Sequence, residues 1–251
     1  MTPHQSDQLA AWWRTFAVQG SWNYRTLVGT GIAFCMLPLL RRIYAGDPVR
    51  LRTAIERHMQ PFNGHPYLCS MAVAALARLE QDGTDPQTIE RFRTALRGPL
   101  GTVGDRAIWA QWRPLCLLAA VFAYTLGASP LACVLIFLVP YNLGHVVVRS
   151  WAFMAGWEAG LGVGRLLKGS WVERVTGLMW PANLVLVGFV AVLLGAELVG
   201  TAAGTVPDWG LLAAGAVLAL AAFRFPRLGG RLTVLLLFVA TAAWLVGDWL
   251  A

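Results

Sequence analysis

The sequence predicts an all-α integral membrane protein, with an N-terminal half of amphipathic and re-entrant helices followed by transmembrane helices, several of them broken by glycine or proline. Two observations support this class. The chain of 251 residues is 57% apolar and 13% charged, with a mean hydropathy of +0.57, and soluble domains carry roughly twice that charged fraction. The second half contains uncharged runs of membrane-spanning length. The composition therefore argues against an ordinary water-soluble enzyme.

The charges divide the chain near Arg113. Before this point they recur every few residues, and after it long uncharged runs dominate. This division predicts an N-terminal amphipathic and re-entrant helical region at residues 1–113 and a transmembrane helical region at residues 114–251. The net charge of +7 is spread as arginines between apolar runs, and Lys168 is the only lysine. Such spacing is typical of membrane loops, so we expect no nucleic-acid partner.

The N-terminal region begins with an amphipathic segment at residues 8–18. Trp12, Trp13 and Phe16 flank Arg14 there, which predicts a helix lying at the membrane interface. A soluble helix that packs the same aromatic side chains inward is the alternative. Two further apolar segments are too short for ordinary spans, residues 26–40 and 66–77.

A polar, periodic segment follows at residues 78–97, and it is interrupted before Pro86. It predicts a cytoplasmic helix-turn-helix. Asp85 or Thr84 is expected near the N-cap of its second helix, with Pro86 in the first turn, where a missing backbone N–H costs little.

Residues 175–196 predict a transmembrane helix. These 22 residues carry no charge, and at about 1.5 Å per residue they cross a hydrocarbon core of about 30 Å. Residues 115–148 are also uncharged, but their 34 residues are too many for one perpendicular helix. Interruptions at residues 127–130 and at Pro140 predict two segments, or one span and a broken or re-entrant piece. A plain helical hairpin with a Gly-Pro turn is the alternative.

Two shorter uncharged runs at residues 209–223 and 232–247 predict a transmembrane hairpin. The arginine-rich loop between them, at residues 224–231, is expected in the cytoplasm because basic loops are retained there. Residues 197–208 then face outward, the basic cluster at residues 165–174 faces inward, and the C-terminus is predicted outside.

No motif for nucleophilic, nucleotide or metalloprotease chemistry occurs in the sequence. We therefore predict no catalytic residue, cofactor or metal. His58 and His65 are seven residues apart, but Pro61 interrupts a continuous helix between them. His145 lies in an apolar run, which is compatible with two roles, a proton relay or a hydrogen-bonded interior histidine. The cysteines lack Cys-x-x-Cys spacing and are expected to be small buried side chains, namely Cys35, Cys69, Cys116 and Cys133.

Neutral hydrogen-bonding side chains stand beside aromatic residues and helix breakers in three short stretches. Amide and carboxylate groups match hydroxyls, and aromatic rings pack against the C–H faces of a sugar, so the pattern suits a neutral polyhydroxylated ligand. Turn formation and interface anchoring are the alternative. The candidate substrate-binding or gating residues are Gln19, Asn23, Asn63, His65, Asp105 and Trp109. Glycine-rich residues 98–105 are expected to let the backbone approach a ligand, or to act as a domain hinge.

Several motifs occur in one order along the chain. They are Gln19-Gly20-Ser21-Trp22-Asn23-Tyr24, Phe62-Asn63-Gly64-His65-Pro66-Tyr67-Leu68, Gly98-Pro99-Leu100, Gly104-Asp105, Trp109 and Arg113-Pro114. Together they resemble component IID of the mannose/fructose/sorbose-type bacterial sugar phosphotransferase system, most strongly over residues 17–114. This sequence differs from the family at two positions. Arg25 stands after Trp-Asn-Tyr where the family has an acid, and Arg106 stands after Asp105 where the family usually has a proline.

The resemblance implies a transport subunit rather than an enzyme. Such a subunit pairs with a second membrane component, IIC, in a trimer of IIC–IID pairs in the bacterial inner membrane. It carries a hexose that component IIB phosphorylates, with phosphate arriving through IIA. Component IID itself is not phosphorylated, so the resemblance makes neither His58 nor His65 a phosphate carrier. We expect Asn23, Asn63, His65 and Asp105 near the IIC interface, where they form or gate the sugar site.

Two other functions are compatible with the sequence. Arg25 and Arg106 fit a membrane scaffold or regulatory subunit without transport. A membrane-embedded metal-dependent enzyme would use His58, His65, His145 and Asp105.

Overall fold

The computed structural model describes residues 3–203. This part of the chain is helical and contains no β-strand beyond isolated β-bridges. Its α-helices are α1 (Pro3–Arg14), α2 (Gly29–Ile43), α3 (Pro48–His58), α4 (Cys69–Gln81), α5 (Pro86–Gly104), α6 (Arg113–Thr125), α7 (Pro130–Ala159), α8 (Val163–Leu167) and α9 (Trp171–Ala203). Short 3-10 turns follow α1 and α7, at Thr15–Ala17 and Gly160–Gly162, and a π-helical segment, Asp105–Trp112, joins α5 to α6.

Three helical stretches in the described part are long and apolar enough to cross a membrane, Pro86–Thr125, Pro130–Leu167 and Trp171–Ala191. They confirm the prediction of an all-α chain with helices of membrane-spanning length. Most of the predicted span at residues 175–196 belongs to the third stretch. The predicted hairpin at residues 209–223 and 232–247, its arginine-rich loop and the C-terminus lie outside the described residues.

The uncharged run at residues 115–148 is divided at one place. Helix α6 ends at Thr125, Gly127 adopts a φ of 88°, and α7 begins at Pro130. This confirms the predicted break at residues 127–130. The expected interruption at Pro140 is wrong, because α7 continues through it as one helix. A proline removes one backbone N–H, and a long helix absorbs that loss when neighbouring groups satisfy the freed carbonyl.

Residues 98–104 are helical, so the glycines expected to allow a ligand approach or a hinge lie inside α5. Buried residues recur along α5 at helical spacing, at Ile89, Arg93, Leu96, Leu100 and Gly104. Burial of this face continues the helix through Pro99, because tertiary packing outweighs the local preference of glycine and proline for a turn. The π-helical segment then begins at Asp105.

Aspartates begin two helices of the N-terminal region, α3 and α5. Asp47 accepts a hydrogen bond from the Arg50 N–H at 2.9 Å ahead of α3, and Asp85 accepts one from the Thr88 N–H at 3.0 Å ahead of α5. Pro48 and Pro86 occupy the first helical positions. These contacts satisfy N–H groups that a helix start leaves without partners, and they confirm the predicted N-cap at Asp85.

The described helices group into two compact units, of which the first comprises residues 3–109 and 142–174. Its centre is α4, whose residues 69–77 are fully buried and which packs against α2 and α5. Helix α7 lies directly on the α4 backbone, because a Cβ at Gly156 would stand 2.4 Å from the Met71 carbonyl oxygen. All four cysteines are free. Cys35, Cys69 and Cys116 are buried as predicted, whereas Cys133 is only partly buried.

The second unit comprises residues 110–141 and, within the described part, residues 175–203. A buried amide pair connects its two segments, since the Asn183 Nδ2 donates to the Gln111 Oε1 at 2.9 Å and to the Gln111 carbonyl oxygen at 3.1 Å. Phe122 and Phe189 pack with ring centres 5.8 Å apart. An unbonded amide is costly in an apolar medium, so this pair fixes α9 against the residues that lead into α6.

Candidate functional site

The first unit contains a buried arginine surrounded by aromatic rings. Arg149 of α7 is 2% exposed, and its guanidinium lies 4.8 Å from the ring centre of Phe16 and 5.2 Å from that of Tyr67. Its Nη1 donates to the Thr15 carbonyl oxygen, and its Nε donates to the His145 Nε2 at 3.0 Å. No carboxylate among the described residues forms an ion pair with Arg149. Ring faces, a carbonyl and an imidazole therefore stabilise this charge.

His145 is neutral in this arrangement. An arginine Nε can only donate, so the His145 Nε2 accepts and the ring proton resides on Nδ1. The imidazole stacks on Tyr67 with ring centres 4.0 Å apart and planes 4° apart. These contacts favour the interpretation of His145 as a hydrogen-bonded interior histidine over a proton relay.

His65 carries a hydrogen-bonding atom that no group in the described part of the chain satisfies. The ring is 1% exposed and lies 4.9 Å from Tyr67 and 5.0 Å from Trp109, measured between ring centres. Its Nδ1 accepts the Tyr67 N–H at 3.3 Å, which puts the ring proton on Nε2, and the buried Nε2 has no hydrogen-bond partner. Burial lowers the pKa of His65 from 6.5 to about 3. A neutral ring with one unused N–H donor beside an indole suits a hydroxyl group.

Gly104 permits the position of His65. A Cβ at residue 104 would stand 2.2 Å from the His65 Cβ, so any other residue would displace the imidazole. The close backbone approach expected within residues 98–105 therefore occurs, but the group approached is a protein side chain. We name the cluster of His65, Tyr67, Trp109, His145 and Arg149 the aromatic cluster.

A second polar feature of the first unit is the turn before α2. The Asn23 Oδ1 accepts from the Arg25 N–H at 3.0 Å and the Thr26 N–H at 2.9 Å, while its Nδ2 donates to the Ser21 carbonyl at 3.0 Å and the Thr26 Oγ1 at 2.8 Å. These bonds occupy the whole carboxamide, so Asn23 builds the turn. The turn then pairs with the segment before α4, because the Phe62 N–H donates to the Thr26 carbonyl at 3.1 Å.

A cavity of about 510 Å³ opens beside this turn. Its wall combines an apolar side with hydroxyl, amide and charged groups, and it lies wholly within the first unit. The lining residues are Asn23, Arg25, Thr26, Thr30, Glu56, Met59, Gln60 and Pro61. The volume falls within the range of small-molecule sites.

The structure brings some of the predicted site residues together. His65 and Trp109 are in contact in the aromatic cluster, and Asn23 belongs to the turn and the cavity. The other three are exposed, Gln19 in the turn before α2, Asn63 beside Phe62, and Asp105 at the start of the π-helical segment.

Sequence reasoning missed a buried carboxylate network. Glu80, at the end of α4, is 4% exposed, and it accepts hydrogen bonds from the Tyr44 hydroxyl and the Arg57 guanidinium. Its Oε1 also lies 2.8 Å from the His58 Nε2. Burial alone would raise the pKa of Glu80, but the hydrogen bonds of His58 and Tyr44 lower it below the usual value. The sequence did contain a signal for this network, because Glu80 lies near the end of the largely apolar helix α4. A carboxylate that is buried with such a helix requires hydrogen-bonding partners.

Arg93 completes this structural network. Its guanidinium donates to the carbonyl oxygens of His58 at 3.0 Å and Pro61 at 3.1 Å, and to that of Gln60. These contacts hold the chain between α3 and α4 in place. Within residues 3–203 no group of three metal-ligating side chains is assembled, and His58 is engaged by Glu80.

Acidification is expected to destabilise the first unit. Burial lowers the pKa of His65 from 6.5 to about 3 and also lowers that of His58. Between pH 6.5 and the folded-state pKa the unfolded chain binds more protons, so stability falls as pH falls, by up to about 1.4 kcal/mol per pH unit for each histidine. The lowered pKa of Glu80 acts in the same direction at lower pH. The unfolding temperature in detergent, measured from pH 7.5 to 4.5, tests this expectation. His65→Phe should reduce the dependence of the unfolding temperature on pH. An unfolding temperature of the wild type that does not change over this range would refute the expectation.

Arg149 is the other residue that sequence reasoning missed. It stands four residues after His145, at the end of the uncharged run, so both side chains lie on one face of α7. An ionisable pair in an apolar helix of membrane length is a functional hypothesis by default. The signal was therefore present, but Thr15, the partner 134 residues earlier, could not be found from spacing.

Comparison with protein families gives a match over most of the chain. The family model described as "PTS system mannose/fructose/sorbose family IID component" matches residues 4–196. The mannose-specific EIID component of Escherichia coli K12 is 28% identical over 177 residues, 68% of this chain and 62% of that protein. The fructose permease IID component of Bacillus subtilis is 26% identical over 162 residues, 62% of this chain and 58% of that protein. The chain thus spans about three fifths of the length of the relatives it matches.

Two solved structures are similar in fold. A structure described as that of a membrane protein superposes with a TM-score of 0.65 and 27% identity, covering 74% of this chain and 70% of that one. The cryo-EM structure of the mannose transporter ManYZ in complex with microcin E492 contains a chain with a TM-score of 0.59 and 24% identity, covering 99% of this chain and 95% of that one. The second likeness shows the fold alone.

Proposed function

Because the chain belongs to the mannose/fructose/sorbose family of phosphotransferase IID components, we propose that it is a membrane subunit of a hexose transporter. Relatives are named for mannose, fructose and sorbose, which supports a monosaccharide as the substrate class. In this proposal the chain carries no catalytic group. It forms the transport pathway together with a IIC subunit, and component IIB phosphorylates the sugar.

The proposed assembly is a trimer of IIC–IID pairs in the bacterial inner membrane, served by cytoplasmic IIA and IIB. The three apolar helical stretches support membrane insertion. Helix α7 exposes many apolar side chains, including Leu131, Val134 and Leu138, and lipid or IIC would cover them. We propose that residues 1–113 carry the site and that residues 114–251 anchor it, with the C-terminus outside.

The observation that carries the proposed site is the unused, buried N–H of His65 against Trp109. The sugar C–H face would pack on the Trp109 indole, which is 36% exposed. A sugar hydroxyl would accept from the His65 N–H only in a state of the complex with IIC that opens this buried ring to the substrate. Exposed Gln19, Asn63 and Asp105 would supply further hydrogen bonds at the IIC interface. Asn23 would contribute by fixing the turn, since its carboxamide is already occupied.

Alanine at Asn63 or Asp105 is expected to reduce uptake of the labelled monosaccharide that the wild type transports best. Both side chains are exposed, so the variants should fold, and loss of a hydrogen bond to the sugar would lower transport by about tenfold or more. Uptake is measured in cells that express the cognate IIC and cytoplasmic components, with assembly checked by copurification.

Gln81→Ala is the matched control, because Gln81 is also exposed but ends α4 outside the proposed site. It should transport at the wild-type rate. If Asn63→Ala and Asp105→Ala assemble with IIC and also transport at that rate, neither residue belongs to the site.

A further inference from the structure

We infer that the cavity beside the turn before α2 binds a monosaccharide carrying a carboxylate, such as a hexuronate, through Arg25. The inference rests on the proposed function and goes beyond it, because the residues that line this cavity do not include His65 or Trp109. The cavity of about 510 Å³ has room for one sugar ring and accompanying water. Both the turn and the opposite wall belong to the first unit, so the site is built within one compact body.

The groups that face a ligand differ in how much hydrogen-bonding capacity they retain. Asn23 uses its whole carboxamide in the turn, and the Thr30 hydroxyl is bonded to Ser21. The Gln60 Nε2 donates to the Glu56 carbonyl at 3.2 Å, which leaves its Oε1 for a sugar hydroxyl. The guanidinium of Arg25 offers five N–H donors, and no described side chain accepts from them in an ion pair.

The uncompensated charge of the cavity is therefore positive. Its other ionised group, Glu56, is already paired, because the Arg52 Nε lies 2.9 Å from the Glu56 Oε1. A guanidinium presents two parallel N–H donors that match the two oxygens of a carboxylate. A single guanidinium with a carboxylate nearby favours a monoanion over a phosphate dianion, since Glu56 would repel the second negative charge. Met59 and Pro61 supply the apolar wall on which a sugar ring can rest.

The test is equilibrium binding to the purified, full-length complex with IIC, using D-glucuronate, D-glucose and D-glucose 6-phosphate as probes. We expect glucuronate to bind about tenfold or more tightly than glucose, and Arg25→Gln to remove that preference, because a hydrogen bond to a charged group is worth about this factor or more. Arg25→Lys should retain part of it, as the charge remains without the fork. Arg50→Gln is the matched control on α3; its guanidinium packs on Tyr44, and the preference should persist.

Several results would overturn the inference. One is equal affinity for glucose and glucuronate. Another is a higher affinity for glucose 6-phosphate than for glucuronate. A third is an Arg25→Gln variant whose affinities for glucose and glucuronate fall by the same factor. Each of these leaves the proposed transport function standing, because the complex still binds a sugar. A complex that assembles but binds none of the three probes counts against the proposed function and removes the inference with it.

Discussion

Replacing Glu80 with alanine is expected to lower the free energy of unfolding by about 3 to 5 kcal/mol, the usual cost of removing one partner from a buried ion pair. Glu80 accepts from Tyr44, Arg57 and His58, and the His58 ring is fully buried. Without the carboxylate, the fully buried His58 ring and the partly buried Tyr44 and Arg57 side chains lose their acceptor. Unfolding of the full chain in detergent, followed by tryptophan fluorescence, measures the loss.

Glu56→Ala provides the matched comparison for this substitution. Glu56 also pairs with an arginine, Arg52, at 2.9 Å, but both side chains are mostly exposed, so the pair is worth less than about 1 kcal/mol. If the two alanine variants unfold alike, the Glu80 network does not hold the first unit together.

Gly31→Ala should destabilise the chain by about 3 kcal/mol, the upper end of the usual cost of overpacking. A Cβ at residue 31 would stand 1.8 Å from the Val18 carbonyl oxygen. Because that contact is with backbone, α2 would have to move away from the segment after α1. The same unfolding assay measures the effect.

The control for the second substitution is Gly98→Ala. Gly98 lies inside α5, and no described atom outside its own turn of the helix comes within 4 Å of its would-be Cβ. Alanine there should therefore raise stability by about 0.5 to 1 kcal/mol through its better helix propensity. Opposite signs for the two glycines are the expected pattern. A neutral Gly31→Ala would mean that α2 does not lie against Val18.

The elements that local chemistry controls were predictable from the sequence. Asp85 and Pro86 begin α5, and the Gly-Pro interruption ends α6 before α7, because a cap or a turn needs only neighbouring residues. The interruption predicted at Pro140 was wrong, and α5 likewise continues through Pro99, because packing and helix length outweigh the local preference of proline. The π-helical segment at Asp105–Trp112 has no established local signature, so the sequence offered no means of predicting it.

The candidate site was only partly predictable for the same reason. His65 and Trp109 were recognisable as a polar group and an aromatic ring near helix breakers, and the fold places them in contact. Arg149 reaches Thr15 across 134 residues, and Glu80 reaches Tyr44 across 36. Such partners depend on how helices pack, and hydrophobic periodicity does not specify which buried polar groups meet.

The aromatic cluster gives a physical account of why several motifs recognised in the sequence belong together. Tyr67 contacts His65, His145 and Arg149, and Gly104 leaves room for His65. Residues from the segment before α4, from the end of α5 and from α7 thus build one buried surface. A substitution at any of these positions is expected to act on the others through direct contact.

The measurement that most directly tests the central claim is uptake of labelled mannose, other hexoses and glucuronate by cells that lack their own mannose transporter. The cells express the cognate IIC and the cytoplasmic components, with or without this chain. A transport subunit predicts that at least one of these sugars enters and appears as sugar phosphate only when the chain is present. Assembly of the complex with no entry of any of them would contradict the transport function and favour a scaffold or regulatory subunit.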